Sequence, residues 1–128
     1  MKDQMIIASI QMYSTGDKER NLQTMEKYLE HINKAFPNIK MVVFPELAAH
    51  GSISNMRKEA EVIPGELTSI FSNMANKYNL WLIPGSIYEK SDNEIFNTTP
   101  VFSSGGDLLG KYRKRYPWRP NEKTTPGG

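Results

Sequence analysis

Hydrophobic and polar positions change rhythm several times along the chain, and each change marks an element. Residues 5–12 carry Ile6, Ile7, Ala8, Ile10 and Met12 with Ser9 and Gln11 between them. The first half is nearly continuous, as a central strand is. A helix is predicted from Lys18 to Ala35, because Leu22, Met25, Leu29, Ile32 and Phe36 recur at spacings of three and four. Pro37 and Asn38 stop it. The run at 39–44, with Met41-Val42-Val43-Phe44, reads as a second strand ending at Pro45.

Residues 46–65 have no clear period, and a stretch of that length signals a functional loop or a hidden element. A helical turn at 56–60 is one candidate within it. Leu67, Ile70, Phe71, Met74 and Tyr78 then line one face of a second helix, Glu66 to Tyr78, with acidic Glu66 suited to its N-terminus. A third strand is expected over 80–87, interrupted by Pro84-Gly85. Residues 89–94 read as a polar turn, 96–102 as a strand, 103–107 as a glycine-containing turn and 108–114 as a last strand. Pro117 and Pro120 break regular structure beyond that strand, and 124–128 is turn-like. This order, strand–helix–strand, helix–strand, then strands joined by tight turns, predicts an α/β layer with a mixed sheet.

Composition narrows the class. At 128 residues the chain has room for one domain, and its 38% hydrophobic content is too high for a disordered segment. No apolar run approaches the ~20 residues of a membrane span. The N-terminus lacks a signal-peptide pattern, so a cytoplasmic protein is expected. Sixteen Lys plus Arg against 14 Asp plus Glu give a net charge of +2, a weak argument for a nucleic-acid partner. There is no cysteine, hence no disulfide, thiolate metal site or cysteine nucleophile within these residues. His31 and His50 match no ligand spacing, and there is no GxGxxG or Walker motif. No metal or organic cofactor is expected.

Glu46 follows an apolar strand directly, and active sites in α/β folds collect at that end of the strands. A carboxylate partly withdrawn from water there can act as a general base. The same position also suits a carboxylate that caps a backbone amide or pairs with a surface lysine. Residues 111–119 hold five cations interleaved with three aromatics. Strand alternation puts Lys111, Arg113 and Arg115 on one face and Tyr112, Lys114 and Tyr116 on the other. Lys114 would then lie among aromatics, available to a developing oxyanion, while the arginines meet water or carboxylates. A nucleic-acid patch and a plain solvated strand end are the alternatives. Glu122 lies in the proline-rich loop after that strand.

Taken together, these segments resemble the nitrilase–amidase superfamily of carbon–nitrogen hydrolases. Ile7-Ala8-Ser9-Ile10-Gln11 with Arg20-Asn21-Leu22 is similar to its opening, Val42-Val43-Phe44-Pro45-Glu46-Leu47 to its glutamate motif, and Gly110-Lys111-Tyr112-Arg113-Lys114 to its lysine motif. Ile63-Pro64-Gly65, Gly85-Ser86 and Phe96-Asn97-Thr98 also fall in place. Pro117-Trp118, Pro120, Glu122, Pro126 and Gly127 resemble the aliphatic amidase and formamidase branch.

The resemblance implies a four-layer αββα sandwich, incomplete in this chain, with residues 1–128 as the N-terminal part of a single domain. It implies Glu46 as general base, Lys114 as oxyanion lysine and Glu122 as a second, positioning glutamate. The nucleophile implied is a cysteine further along the chain than Gly128. The parent enzyme is thus expected to hydrolyse a small aliphatic amide to acid and ammonia and to form homo-oligomers. These 128 residues are expected to be inactive alone. An N-carbamoyl, nitrile or glutamine-type hydrolase and an inactive binding module are the alternatives. Arg119 and the stretch 46–50 depart from the branch pattern and are expected to reshape the pocket.

Overall fold

The computed structural model describes residues 3–51 and 56–128. Its elements are β1 (Ile6–Ser9), α1 (Lys18–Ala35), β2 (Ile39–Val43), α2 (Met56–Glu59), α3 (Glu66–Tyr78), β3 (Trp81–Ile83), β4 (Ile87–Ser91), β5 (Glu94–Phe102) and β6 (Leu108–Arg113). Both long helices have the predicted limits. Their starts are chemically marked. The Asp17 carboxylate accepts the Arg20 N–H at 3.1 Å, and Glu61 Oε1 accepts the Leu67 N–H at 2.6 Å, each satisfying a donor the first turn leaves orphaned. Asn79, in the left-handed region at φ 51°, closes α3.

The six strands form one mixed sheet. β1, β2 and β3 run parallel, with Met41 opposite Ile7 and Trp81. The β1–α1–β2 and β2–α3–β3 connections supply the crossovers that parallel neighbours need. β5 is antiparallel to everything it touches. β3 and β4 share one of its sides, and β6 pairs with its second half.

The expected strand limits at 80–94 need correction, whereas the helical turn expected at 56–60 is present as α2. The polar turn at 89–94 shrinks to Asp92-Asn93, and residues 87–91 are strand. The strand expected over 80–87 is two strands, parted at Pro84-Gly85. The aperiodic stretch 46–65 holds α2 and a series of turns, while 52–55 lie outside the described residues.

α1 and α3 pack on each other and on one face of the sheet. Met25, Leu29 and Ile32 from α1 and Leu67, Phe71 and Met74 from α3 close over Val42, Leu82, Ile87 and Phe102. Each such burial contributes about 1.5–3 kcal/mol. Phe36 is not part of this face. It caps α1 with 52% exposure, edge-on to His31. Alternation along the strands turns Met41, Val43, Trp81 and Ile83 to the other face, where they are half-buried. The described residues therefore make one sheet and one helix layer of the expected sandwich. No helix among them is long and apolar enough to cross a membrane.

Candidate active site

Where β2 ends, the chain turns sharply. Phe44 N–H still bonds to Ile83 O at 2.9 Å, and then Ala48 N–H and Gly51 N–H fold back onto Pro45 O and Leu47 O. This turn carries Glu46 at the carboxyl end of β2. It is braced from two sides. The Ser86 hydroxyl accepts the Leu47 N–H at 3.1 Å. Asn21, 1% exposed, donates to Ala49 O at 2.9 Å and to Thr15 O at 2.8 Å.

Gly85 closes the fit at φ +82°, where a Cβ would lie 1.9 Å from Pro45 O. Gly85→Ala is therefore expected to destabilise by more than about 1 kcal/mol, because both the backbone conformation and the space exclude a methyl. Urea unfolding midpoints measure it, and an unchanged midpoint would refute the close-approach argument.

Lys114 is delivered by the register of β6. Thr98 faces Arg113, and Lys114 N–H continues the ladder onto Asn97 O at 2.8 Å. Alternation then separates the cations by face, as the sequence suggests. Lys111 and Arg113 reach Glu89, while Lys114 points the other way. Tyr112 lines the same hollow as Lys114, and Tyr88 lies within reach of its charge. The Lys114 Nζ lies between two carboxylates, 2.9 Å from Glu46 Oε1 and 2.8 Å from Glu122 Oε2.

The loop 115–128 has no strand or helix, yet it places Glu122 firmly. Trp118 N–H donates to Glu122 Oε2 at 2.9 Å and Thr124 Oγ1 to Oε1 at 2.9 Å. Thr125 N–H ties the loop to Ile95 O at 2.7 Å. The Arg119 guanidinium bonds to the carbonyls of Glu122 and Thr124. It thus holds the loop that carries Glu122 and is not itself among the residues lining the hollow.

Glu46, Lys114 and Glu122 are thus brought together from three separate segments. The sequence did not single out the residue that joins them. Asn97 Nδ2 donates to Glu46 Oε1 at 2.7 Å and to Glu122 Oε1 at 2.9 Å. An asparagine in mid-strand is disfavoured, and that is the signal the sequence offers. Beside the cluster lies an open hollow of about 190 Å³, lined by Glu46, Ser86, Asn97, Thr99, Tyr112 and Lys114.

Two carboxylates and one ammonium give this cluster a net negative charge. Burial pushes the Glu122 carboxyl up, but hydrogen bonds from Lys114, Trp118 N–H, Asn97 and Thr124 outweigh it and hold it at about 2. Lys114 is raised, first by Glu122 and then by Glu46. Tyr88 is raised by burial and by the nearby Glu122 and Glu46 charges. His50 lies in the same turn as Glu46 but is buried against the Tyr88 ring, centroids 5.4 Å apart. Of the five cations in 111–119, Lys111, Arg113, Lys114 and Arg119 are engaged within the fold, which argues against a free cationic patch.

The family model for carbon–nitrogen hydrolases matches residues 6–128. The chain belongs to that family. It is 38% identical to the omega-amidase NIT3 of Saccharomyces cerevisiae over 109 residues, covering 79% of this chain and 37% of that protein. It is 27% identical to a formamidase of Bacillus cereus over 119 residues, covering 89% of this chain and 36% of that protein.

Among solved structures, yeast Nit3, a member of branch 10 of the nitrilase superfamily, superposes with a TM-score of 0.86 at 32% identity, covering 97% of this chain and 49% of that one. The carbon–nitrogen hydrolase of Helicobacter pylori superposes at 0.85 with 26% identity, covering 97% of this chain and 45% of that one. This carbon–nitrogen hydrolase chain thus spans about two-fifths of the length of the curated relatives and about half of the solved ones.

Proposed function

We propose that residues 1–128 supply the acid–base and oxyanion half of an amide-hydrolysing site, with the nucleophile provided outside them. The observation that carries this reading is the position of Lys114 between Glu46 and Glu122. An ammonium has three hydrogens. The two carboxylates take two, and the third is free for a substrate oxygen at the edge of the hollow. Glu46 is the more open of the acids, with 56% of its side chain exposed against 14% for Glu122. Exposure suits a base that must exchange protons, and enclosure suits a residue that holds the lysine.

On this reading the protein is the N-terminal part of a single domain, and the reaction begins when Glu46 accepts the proton of a cysteine thiol. The thiolate attacks the amide carbon, and the carbonyl electron pair moves onto oxygen, where Lys114 stabilises it. As the oxyanion collapses, the C–N bond breaks and Glu46 returns its proton to the departing nitrogen. Ammonia leaves. Glu46 then takes a proton from water, whose oxygen attacks the thioester, and the carboxylic acid is released with the thiol restored. We take the substrate to be a short aliphatic amide, whose polar end the Thr99 and Tyr112 hydroxyls in the lining of the hollow can meet. Self-association of the full-length protein is part of this reading.

Ammonia release from formamide, propionamide, glutamine, an N-carbamoyl amino acid and a nitrile, compared by kcat/KM, tests the reading in the protein at the length its gene encodes. Turnover is expected with a short amide, reduced at least ~10²-fold by Glu46→Gln or Lys114→Ala. Full turnover in Lys114→Ala would overturn it. So would hydrolysis by the cysteine-free 128-residue chain itself, which is expected to release no ammonia.

A further inference from the structure

Asn97 is 3% exposed and lies on β5 beside the strand end that delivers Lys114. A buried amide must find partners, and here the partners settle which way it faces. Both neighbours are carboxylates bonded also by the Lys114 ammonium and so act as acceptors, and the NH2 end is the one turned to them. One nitrogen reaches two acids 76 residues apart in the chain, Glu46 and Glu122, at 2.7 and 2.9 Å. Lys114 closes the ring by donating to the same pair. Glu46 Oε1 therefore accepts from both Asn97 and Lys114, while Oε2 accepts no hydrogen bond from the described residues.

We propose that Asn97 is a positioning residue for the acid–base pair, whose two amide hydrogens keep both carboxylates ionised side by side and leave Glu46 Oε2 as the oxygen that receives the proton. This rests on the reading of Glu46 as a general base. The chemistry favours an amide at this position. Lys114 shares one positive charge between two carboxylates, so a net negative charge remains, and without further donors the two repel and one takes up a proton. A second cation in place of the amide would prevent that, but it would also lower the proton affinity the base needs. A neutral group with two hydrogens in a fixed fork separates the acids without adding charge. Two donors on Oε1 make that oxygen the less basic one, which selects Oε2. The backbone carbonyl of the same residue accepts the Lys114 N–H, so Asn97 sets the places of all three charged groups.

The test is a pH titration of the Glu46 and Glu122 side-chain carboxyl ¹³C resonances in the protein, with and without Asn97→Ala. At least one midpoint is expected to rise by about one pH unit, a tenfold gain in proton affinity. Asn97→Ser, whose hydroxyl has one hydrogen to give, serves in its place if the alanine variant fails to fold. It is expected to raise the midpoint of one acid and spare the other. Midpoints that stay within about 0.3 unit in a folded variant, with only the melting temperature lowered, would show Asn97 to be structural and overturn the proposal. These resonances need no turnover. A failure of amide hydrolysis itself would appear as absent ammonia release with the midpoints still shifted.

Discussion

Glu89→Ala is expected to destabilise the protein by about 3–5 kcal/mol, the range for removing one partner from a buried ion pair. Glu89 is 1% exposed in the middle of β4. Its Oε1 accepts from Lys111 Nζ and from Arg113 NH2 at 2.8 Å, and its Oε2 from Arg113 Nε at 2.9 Å and Thr98 Oγ1 at 2.7 Å. Arg113 is gripped bidentately and also lies 3.9 Å over the Phe96 ring. Burial pushes the Glu89 carboxyl up, but Arg113, Lys111 and Thr98 prevail and hold it at about 2. Without it, two cations lie side by side on β6 and lose the carboxylate that both of them contact, leaving Arg113 only the weaker pull of Glu94 and Asp92. Glu89→Gln keeps the shape and a smaller loss is expected. Replacing Glu89, Lys111 and Arg113 together with apolar residues should cost less than Glu89→Ala alone, because no charge is then left desolvated. Urea unfolding measures all three, and a Glu89→Ala protein within about 1 kcal/mol of the parent would sink the argument. Because Lys114 directly follows Arg113, the same substitution is expected to loosen the lysine as well.

Glu89 also shows where the sequence stops being legible. Tyr88-Glu89-Lys90-Ser91-Asp92 looks polar, so its period reads as a turn. What makes it a strand is non-local: the cations that neutralise Glu89 lie 22 and 24 positions away. The helices were legible because their signals are local. A cap at Asp17, spacings of three and four, and stops at Pro37 and Asn79 are all read within one segment. Glu46 and Lys114 stood out for similar reasons, one at the end of an apolar run and the other on an alternating strand. Their proximity did not. It depends on β2 and β6 lying in one sheet with β3 and β5 between them. Asn97 stands in the sequence only as part of a short motif, since its role exists only once two distant carboxylates meet.

The acid side of the stability curve is expected to fall in two stages, and His50 accounts for the first. Its ring is 1% exposed, and neither nitrogen has a hydrogen-bond partner among the described residues. Burial, helped by the Lys18 charge and opposed by Glu59, lowers it from 6.5 to about 4. The folded protein therefore binds this proton less readily than the unfolded chain does. Stability from the neutral ring is fully present above pH 6.5 and is lost as pH falls toward 4. Between pH 7 and 4.5 the loss is about 2–3 kcal/mol. The second stage belongs to Glu89 and Glu122, both held at about 2. Their contribution is complete above 4.5 and disappears as pH drops toward 2. His50→Leu fills a similar space without a titrating group. Its unfolding free energy should stay nearly flat from pH 7 to about 4.5 and then join the parent's descent. Equal slopes in the two proteins over the first interval would remove His50 as the cause. The outcome bears on the site, because His50 and Glu46 share one turn, pinned at Pro45 O and Leu47 O. A proton forced onto the buried ring opens that turn, so the carboxylate at its head should lose its place beside Lys114 before the sheet itself unfolds.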